Sequence, residues 1–363
     1  MKVNLKPLRD QVIVITGAGS GIGAVTARMA AAKGARVVLA GRQEAALEQV
    51  ARDITQEGGA AATVVADVGV QEDHERILAL AVERFGRVDT WVNNAGVSIY
   101  GTLEQVPIED QRKLFDTDYW GVVYGSLAAV RHMKATGGAI INLGSEVSDR
   151  AVPLQGAYSA AKHAVKGYTD ALRMELRQLG APISVTLIKP ASIATKFTEH
   201  ARNYMDAQPD LPPPIYAPEL VAEAILHAAQ TPVRDLFVGG AARAISAFGQ
   251  NMPGLADRMA GWLFRHQRGP RTYEEMGQDS LYDAGGEHAA VRRPDAGSAR
   301  IPAARCTRRR RRWPCWRWRA ARWHACCAAA ADPLLIQPRR FLPERLELRF
   351  AGRQFLGVFG GAR

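Results

Sequence analysis

From its first strand onward the chain alternates short apolar runs with helix-period segments. Val12–Ile15 precedes a helical pattern at Ala24–Ala32, Arg36–Ala40 precedes Glu44–Thr55, and Thr63–Ala66 precedes Glu72–Phe85. Further strands are predicted at Val88–Val92, Ala139–Leu143, Ile183–Ile188 and Leu236–Val238, separated by helical stretches at 107–134, 156–179 and 218–230. Strands apolar on both faces and alternating with helices predict an α/β fold, a doubly wound parallel sheet of Rossmann type with right-handed crossovers. The pattern runs to about residue 240 without an internal linker, so a single domain, 1–240, is expected to carry a C-terminal extension. The rhythm breaks at 196–217, where Pro209, Pro212, Pro213 and Pro214 sit among Phe197, Tyr204, Met205 and Tyr216. A long insertion in a compact domain is more often a functional lid than a structural excursion, and a lid is expected over 191–217. Residues 241–300 carry amphipathic helix material at Ala241–Phe248 and Leu255–Phe264 and then a polar run, which reads as a helical appendage.

Composition divides the chain in two. Of the 363 residues, 47% are apolar and 23% charged, which excludes disorder over most of the length. The net charge of +11 looks like a nucleic-acid signature until it is located: residues 301–363 hold 15 Arg, no Lys and 3 acids, so the basicity belongs to that tail and the first 300 residues are nearly neutral. All 4 cysteines, Cys306, Cys315, Cys326 and Cys327, lie there too, which leaves the body without thiols for disulfides or thiolate metal sites. The longest uncharged stretch, Gln11 to Ala27, contains Gly17, Gly19, Gly21 and Gly23 and falls short of a membrane span, and the N-terminus lacks a signal-peptide apolar region. A cytoplasmic location is expected.

Thr16-Gly17-Ala18-Gly19-Ser20-Gly21-Ile22-Gly23 stands between the first strand and the first helix. Glycines there permit a tight turn and let a pyrophosphate approach backbone N–H groups at a helix N-terminus. No Lys-Ser/Thr pair follows Gly23, which excludes the NTPase phosphate loop and leaves a dinucleotide as the better ligand. The second strand ends at Gly41-Arg42, where an acid would bind the ribose hydroxyls of NAD and a guanidinium the 2′-phosphate of NADP, so NADP(H) is favoured over NAD(H). The other reading of Arg42 is an exposed arginine at a helix start. At Asp67-Val68, closing the third strand, the carboxylate either accepts from the adenine amine or caps the following helix.

Tyr158-Ser159-Ala160-Ala161-Lys162 opens a helix, and its i, i+4 spacing puts phenol and ammonium on one face. A phenol near pKa 10 is a poor base at neutral pH, and a lysine one turn away is a source of the stabilisation that would lower it. Tyr158 could then act as a general acid/base toward a carbonyl or alcohol oxygen. Tyr and Lys so spaced also occur on ordinary helix surfaces. Ser145, at the carboxyl end of a predicted strand, could hydrogen-bond the same oxygen or simply cap the next segment, and Glu146, Ser148 and Asp149 make that turn polar throughout.

Together these motifs resemble those of the short-chain dehydrogenase/reductase family over about residues 8–240: Thr16–Gly23 resembles its T-G-x-x-x-G-x-G, Asn93-Asn94-Ala95-Gly96 its N-N-A-G, and Ser145…Tyr158-x-x-x-Lys162 its catalytic set. The resemblance implies hydride transfer to or from a nicotinamide, with Tyr158 exchanging the proton, Lys162 binding the nicotinamide ribose and lowering the tyrosine pKa, and Ser145 orienting the substrate carbonyl. It implies cofactor contacts from Thr16, Gly17, Ser20, Gly21, Ile22, Gly23, Arg42, Asp67, Val68, Asn94, Ala95, Gly96, Tyr158, Lys162, Pro190 and Thr195, a small carbonyl or alcohol substrate, and a homodimer or homotetramer. Two positions depart from the pattern. Asp118 stands where the family has an asparagine joining the lysine to a proton-relay water: if the backbone carbonyl serves there the change is mild, and if the side chain matters the carboxylate perturbs Lys162. Pro190-Ala191 replaces Pro-Gly. Both keep open a nucleotide-binding sensor or scaffold without turnover.

No metal site is expected, since the histidines are scattered. The tail interleaves Arg308–Arg312, Arg317, Arg319 and Arg322 with Trp313, Trp316, Trp318 and Trp323, and His324 lies beside Cys326 and Cys327. A selected tail of this kind would bind nucleic acid or an anionic membrane. Its abrupt, lysine-free composition reads rather as disorder or a shifted reading frame, and with that reading no such partner is expected.

Overall fold

A computed structural model describes residues 3–272 and 279–283; the reading of 301–363 lies outside the described residues. Seven strands, β1 (Val12–Thr16), β2 (Arg36–Gly41), β3 (Ala60–Val65), β4 (Thr90–Asn93), β6 (Gly138–Leu143), β7 (Ile183–Pro190) and β10 (Asp235–Val238), form one sheet in the order β10-β7-β6-β4-β1-β2-β3, parallel throughout. The period-2 geometry of a strand buried on both faces explains why their sequences are apolar at most positions. Ile13 and Ile15 of β1 point to one face, where α1 (Gly21–Ala32), α2 (Glu44–Gln56) and α7 (Pro218–Ala228) bring Ala27, Val50 and Ile225. Val12 and Val14 point to the other, against Ile77 of α3 (Gln71–Phe85), Met133 of α5 (Gly121–Met133) and Leu172 of α6 (Gly156–Gln178). Burying a Val, Leu or Ile side chain contributes about 1.5–3 kcal/mol. Two complete faces of such contacts hold the sheet rigid.

The stretch expected as one helix over 107–134 is three pieces: α4 (Ile108–Phe115), a π-helical turn at Asp116–Trp120, and α5. Such turns add a residue to a helix and often occur at functional sites. Here the turn carries Asp118, with no exposed surface, in toward the sheet.

Beyond the sheet, the insertion after β7 is stitched down at several points. Its β8 (Arg202–Asn203) pairs with β5 (Ile99–Tyr100), and its β9 (Ala207–Pro209) pairs antiparallel with β11 (Arg268–Thr272), which follows α8 (Gly240–Asn251) and α9 (Pro253–His266). Asp149 receives Lys189 Nζ at 2.9 Å, Lys166 Nζ at 2.5 Å and the Ser246 hydroxyl of α8 at 2.6 Å. Leu281, 1% exposed, packs with Val97, Leu114 and Tyr158. Residues after 240 thus take part in the same packing as the sheet domain. Among the described residues, no helix is long and apolar enough to cross a membrane.

Candidate functional site

The strand order reverses beside β1, whose neighbours are β2 and β4, and there the loops leaving β1 and β4 separate. A crevice outside the carboxyl ends of the strands at such a point is where open α/β sheets bind ligands. Thr16, closing β1, joins the two loops: its hydroxyl accepts from Asn94 N at 3.0 Å and Ala95 N at 3.1 Å, while Asn94 Nδ2 donates to Thr16 O at 2.8 Å. Gly17 holds φ +65°, a left-handed conformation costly for any side chain. At Gly23 a Cβ would lie 2.2 Å from Gly17 O, so the turn folds onto the start of α1 only without a side chain there. Thr16 and Gly23 therefore shape the turn from behind its surface.

A cavity of about 380 Å³ opens in front of it. Gly17, Ser20, Gly21 and Ile22 of the turn line it, with Arg42, Asp67 and Val68 and with Asn94, Ala95 and Gly96. Pro190 and Thr195 close over the glycines, with the Thr195 methyl 3.3 Å from where a Gly21 Cβ would stand. Ser145, Tyr158 and Lys162 line the same cavity. An elongated crevice with a side-chain-free, N–H-rich turn at the start of α1 fits a pyrophosphate-bridged dinucleotide.

Tyr158 is 9% and Lys162 4% exposed, and Lys162 Nζ lies 5.5 Å from the phenol ring centroid. The ammonium has two further partners: Leu143 O at 3.3 Å and Asp118 Oδ2 at 3.2 Å. Asp118 Oδ1 accepts from Val97 N at 2.7 Å. Burial pushes the Asp118 carboxyl above its usual range against the pull of Lys162 and the Val97 N–H. The Asp118 side chain thus stands at ion-pair distance from Lys162.

The phenol is raised, against the depression expected from Lys162 alone. Burial first, and the Asp118 carboxylate second, push Tyr158 above its ordinary value; the Ser145 hydroxyl, hydrogen-bonded to it, pulls the other way, and Glu146 adds to the rise. Lys162 spends its charge on Asp118, and a phenol so placed holds its proton.

Ser145 takes the capping role. It caps the short helical turn 146–148, accepting from Val147 N at 3.3 Å while Ser148 Oγ accepts from Ser145 N at 3.1 Å, and it also meets Tyr158. Asp67 departs from one of its two readings. It does not cap α3, whose N-cap is Val70; it closes a turn by accepting from Gly69 N at 2.9 Å and pairs with Lys113 at 3.3 Å. Those partners overcome the burial that would raise its carboxyl and leave it below the usual carboxylate range. Arg42 is not a free helix-start arginine. Its Nη1 donates to Tyr282 O at 3.2 Å and its Nη2 to Ser280 O, which ties the 279–283 segment to the end of β2.

Residues with no motif to mark them complete the wall. Trp262, Leu263 and Gln267 come from α9 and the residue after it, and Gln267 Nε2 donates to Gln155 Oε1 at 3.0 Å, whose Nε2 donates to Ser98 Oγ at 3.0 Å. Phe197 tilts against Tyr158 at 5.6 Å between ring centroids. Glu146, beside Ser145, lines the cavity, and burial pushes its carboxyl up to about 7. Its only sequence signal was its place next to Ser145. Among the described residues no group of three or more His, Cys, Asp or Glu could hold a metal ion.

Residues 11–206 match the family model described as short chain dehydrogenase. Oxidoreductase YxnA of Bacillus subtilis is 50% identical over 288 residues, covering 78% of this chain and 81% of its own. A short chain dehydrogenase/reductase from Burkholderia phymatum, solved in complex with NAD, superposes with a TM-score of 0.64 at 26% identity, over 75% of this chain and 100% of that one. The alcohol dehydrogenase of Thermococcus sibiricus, solved with 5-hydroxy-NADP, gives 0.55 at 28% identity over 62% and 95%. With the sheet order, the glycine turn and these matches in agreement, the chain belongs to the short-chain dehydrogenase/reductase family and is an NAD(P)-dependent oxidoreductase.

Proposed function

We propose that this enzyme interconverts a carbonyl and a secondary alcohol with NADP(H), and that Tyr158 is its general acid/base. The observation that carries the reading is the meeting of Ser145, Tyr158 and Lys162 in the lining of the cavity that the glycine turn also lines. When bound, the nicotinamide supplies or accepts the hydride. Ser145 holds the substrate oxygen, and the Tyr158 O–H donates to it as negative charge develops there. Lys162, held by Leu143 O and Asp118, would bind the nicotinamide ribose. A phenol held above its usual pKa is protonated at neutral pH, the form that carbonyl reduction requires of a proton donor.

The test is consumption of NADPH by the purified chain across aldehydes and ketones of graded size, with isotope-labelled NADPH to trace the hydride into the product alcohol. Labelled alcohol supports the proposal. A protein that binds NADPH and reduces none of them refutes it.

NADP(H) is favoured because Gly41-Arg42 ends β2 without a carboxylate and Arg42 lines the cavity. A guanidinium has five N–H donors; two carbonyls leave donors for a 2′-phosphate. Arg42→Ala is expected to lower kcat/KM for NADPH about tenfold and spare NADH, since a charged hydrogen bond is worth roughly 1.5–3 kcal/mol. Equal losses with both cofactors would instead mean that Arg42 only anchors the 279–283 segment.

A further inference from the structure

Two carboxylates three residues apart, in the turn after β6, have opposite fates. Asp149 is fully partnered by Lys166, Lys189 and Ser246, and these partners outweigh its burial and hold it down at about 2. Glu146 has nothing comparable. Its Oε2 is buried without a hydrogen-bond partner, and no ion pair or hydrogen bond joins its carboxyl to another described residue. Its backbone cannot swing the side chain out to solvent at will, because the Ser145 and Ser148 capping box locks the turn and Asp149 N donates to Glu146 O. Buried polar groups are almost always satisfied, so one that is not calls for a reason in function.

The position supplies the reason. Glu146 lines the cavity directly after Ser145, close enough for its charge to bear on the Tyr158 phenol. A second acceptor in the same wall is short of a donor too: Gln267 is 2% exposed, and its Oε1 is buried without a partner although its Nε2 is bonded to Gln155. Val147, Val152 and Phe197 add apolar surface to the same lining. A site for a plain hydrocarbon ketone would be apolar throughout. This one has two buried acceptors, Glu146 Oε2 and Gln267 Oε1, with no partner among the described residues.

We infer that Glu146 is a specificity-determining residue whose carboxyl receives a hydrogen-bond donor, a hydroxyl or an ammonium, carried by the substrate away from its reacting carbon. The substrates are then hydroxy- or amino-substituted carbonyl compounds and the corresponding alcohols. This inference rests on the carbonyl reduction proposed above. Burial, with no compensating cation, pushes Glu146 to about 7, so the side chain can accept from a hydroxyl when ionised or pair with an ammonium that enters with the substrate.

The experiment compares NADPH-dependent reduction of methyl hexyl ketone with that of its analogues carrying a terminal hydroxyl or a terminal ammonium. In the wild type, kcat/KM is expected to be at least about tenfold higher for a substituted ketone than for the parent, the value of one hydrogen bond to a charged group. In Glu146→Leu that ratio is expected to fall to one or below. Glu146→Gln, which keeps the shape and an acceptor oxygen, is expected to retain preference for the hydroxyl and lose it for the ammonium; it also serves if the leucine variant does not fold. A wild-type ratio near one, or a ratio that both variants leave unaltered, overturns the inference while the reductase reading stands. Reduction of none of the three by protein that binds NADPH overturns both.

Discussion

Replacing Tyr158 by phenylalanine is expected to lower kcat by about 10²–10⁴-fold, the usual contribution of a positioned general acid/base, and to leave NADPH affinity within about twofold. The substitution removes one oxygen and little else. Phenylalanine keeps the ring's packing against Phe197 and against Val97 and Leu281, so the wall of the cavity is retained. What is lost is the O–H that Ser145 orients. Lys162 is held by Leu143 O and Asp118 independently of the phenol, so the part of the site meant for the cofactor ribose stays in place. Titrating nucleotide binding by fluorescence and following turnover in the same preparation separates the two effects. Turnover within a few-fold of wild type would remove Tyr158 from the chemistry and force the proton onto another group, of which Glu146 is the nearest candidate in the turn beside it. Loss of binding and turnover together would mean that the hydroxyl supports the fold of the cavity.

The parts of this site that local sequence announces are those whose chemistry is local. Apolar runs at every position foretell strands buried on both faces, and a glycine turn between such a strand and a helix foretells an anion site because backbone geometry alone requires those glycines. Tyr158 and Lys162 are one helical turn apart and can be read as a pair. What stayed hidden depends on contacts across long separations. Gln267 reaches Gln155 from 112 residues away. Arg42 is occupied by backbone carbonyls of residues 280 and 282, acceptors that every residue carries and no pattern can distinguish. The π-helical turn at Asp116–Trp120 adds one residue to an otherwise regular period, and a helix-period search passes over it. The direction of the Tyr158 shift failed for the same reason. Counting a lysine at i+4 foretells a lowered pKa, and the answer reverses once burial and a carboxylate forty positions upstream are placed beside that lysine.

Asp118→Asn makes that reversal testable, and its expected effect is a shift of the Tyr158 titration downward by about one to three units, the range for gain or loss of a neighbouring charge. In the wild type the carboxylate lies 3.2 Å from the Lys162 ammonium, both are buried, and the carboxylate raises the phenol. Asparagine keeps an oxygen for the Val97 N–H and removes the negative charge. The ammonium then acts on Tyr158 unopposed and favours phenolate. Alcohol oxidation needs the deprotonated phenol, so its alkaline rise in kcat/KM should begin at lower pH, with roughly ten- to thousandfold more phenolate at a fixed pH below the titration. Carbonyl reduction needs the protonated phenol and should fall away at lower pH than in the wild type. Lys162→Met provides the opposite sign: it leaves the carboxylate unpaired, raises Tyr158 further, and delays the oxidative rise. Removing one member of a buried ion pair also costs stability, about 3–5 kcal/mol where the other charge is left stranded, and thermal unfolding should register it more strongly in Lys162→Met than in Asp118→Asn, where Lys162 keeps Leu143 O. Opposite displacements of the two pH profiles can arise only if the pair sets the phenol electrostatically. Displacement in the same direction, or none, would show that Asp118 is neutral in the working enzyme and that burial alone holds the proton on Tyr158.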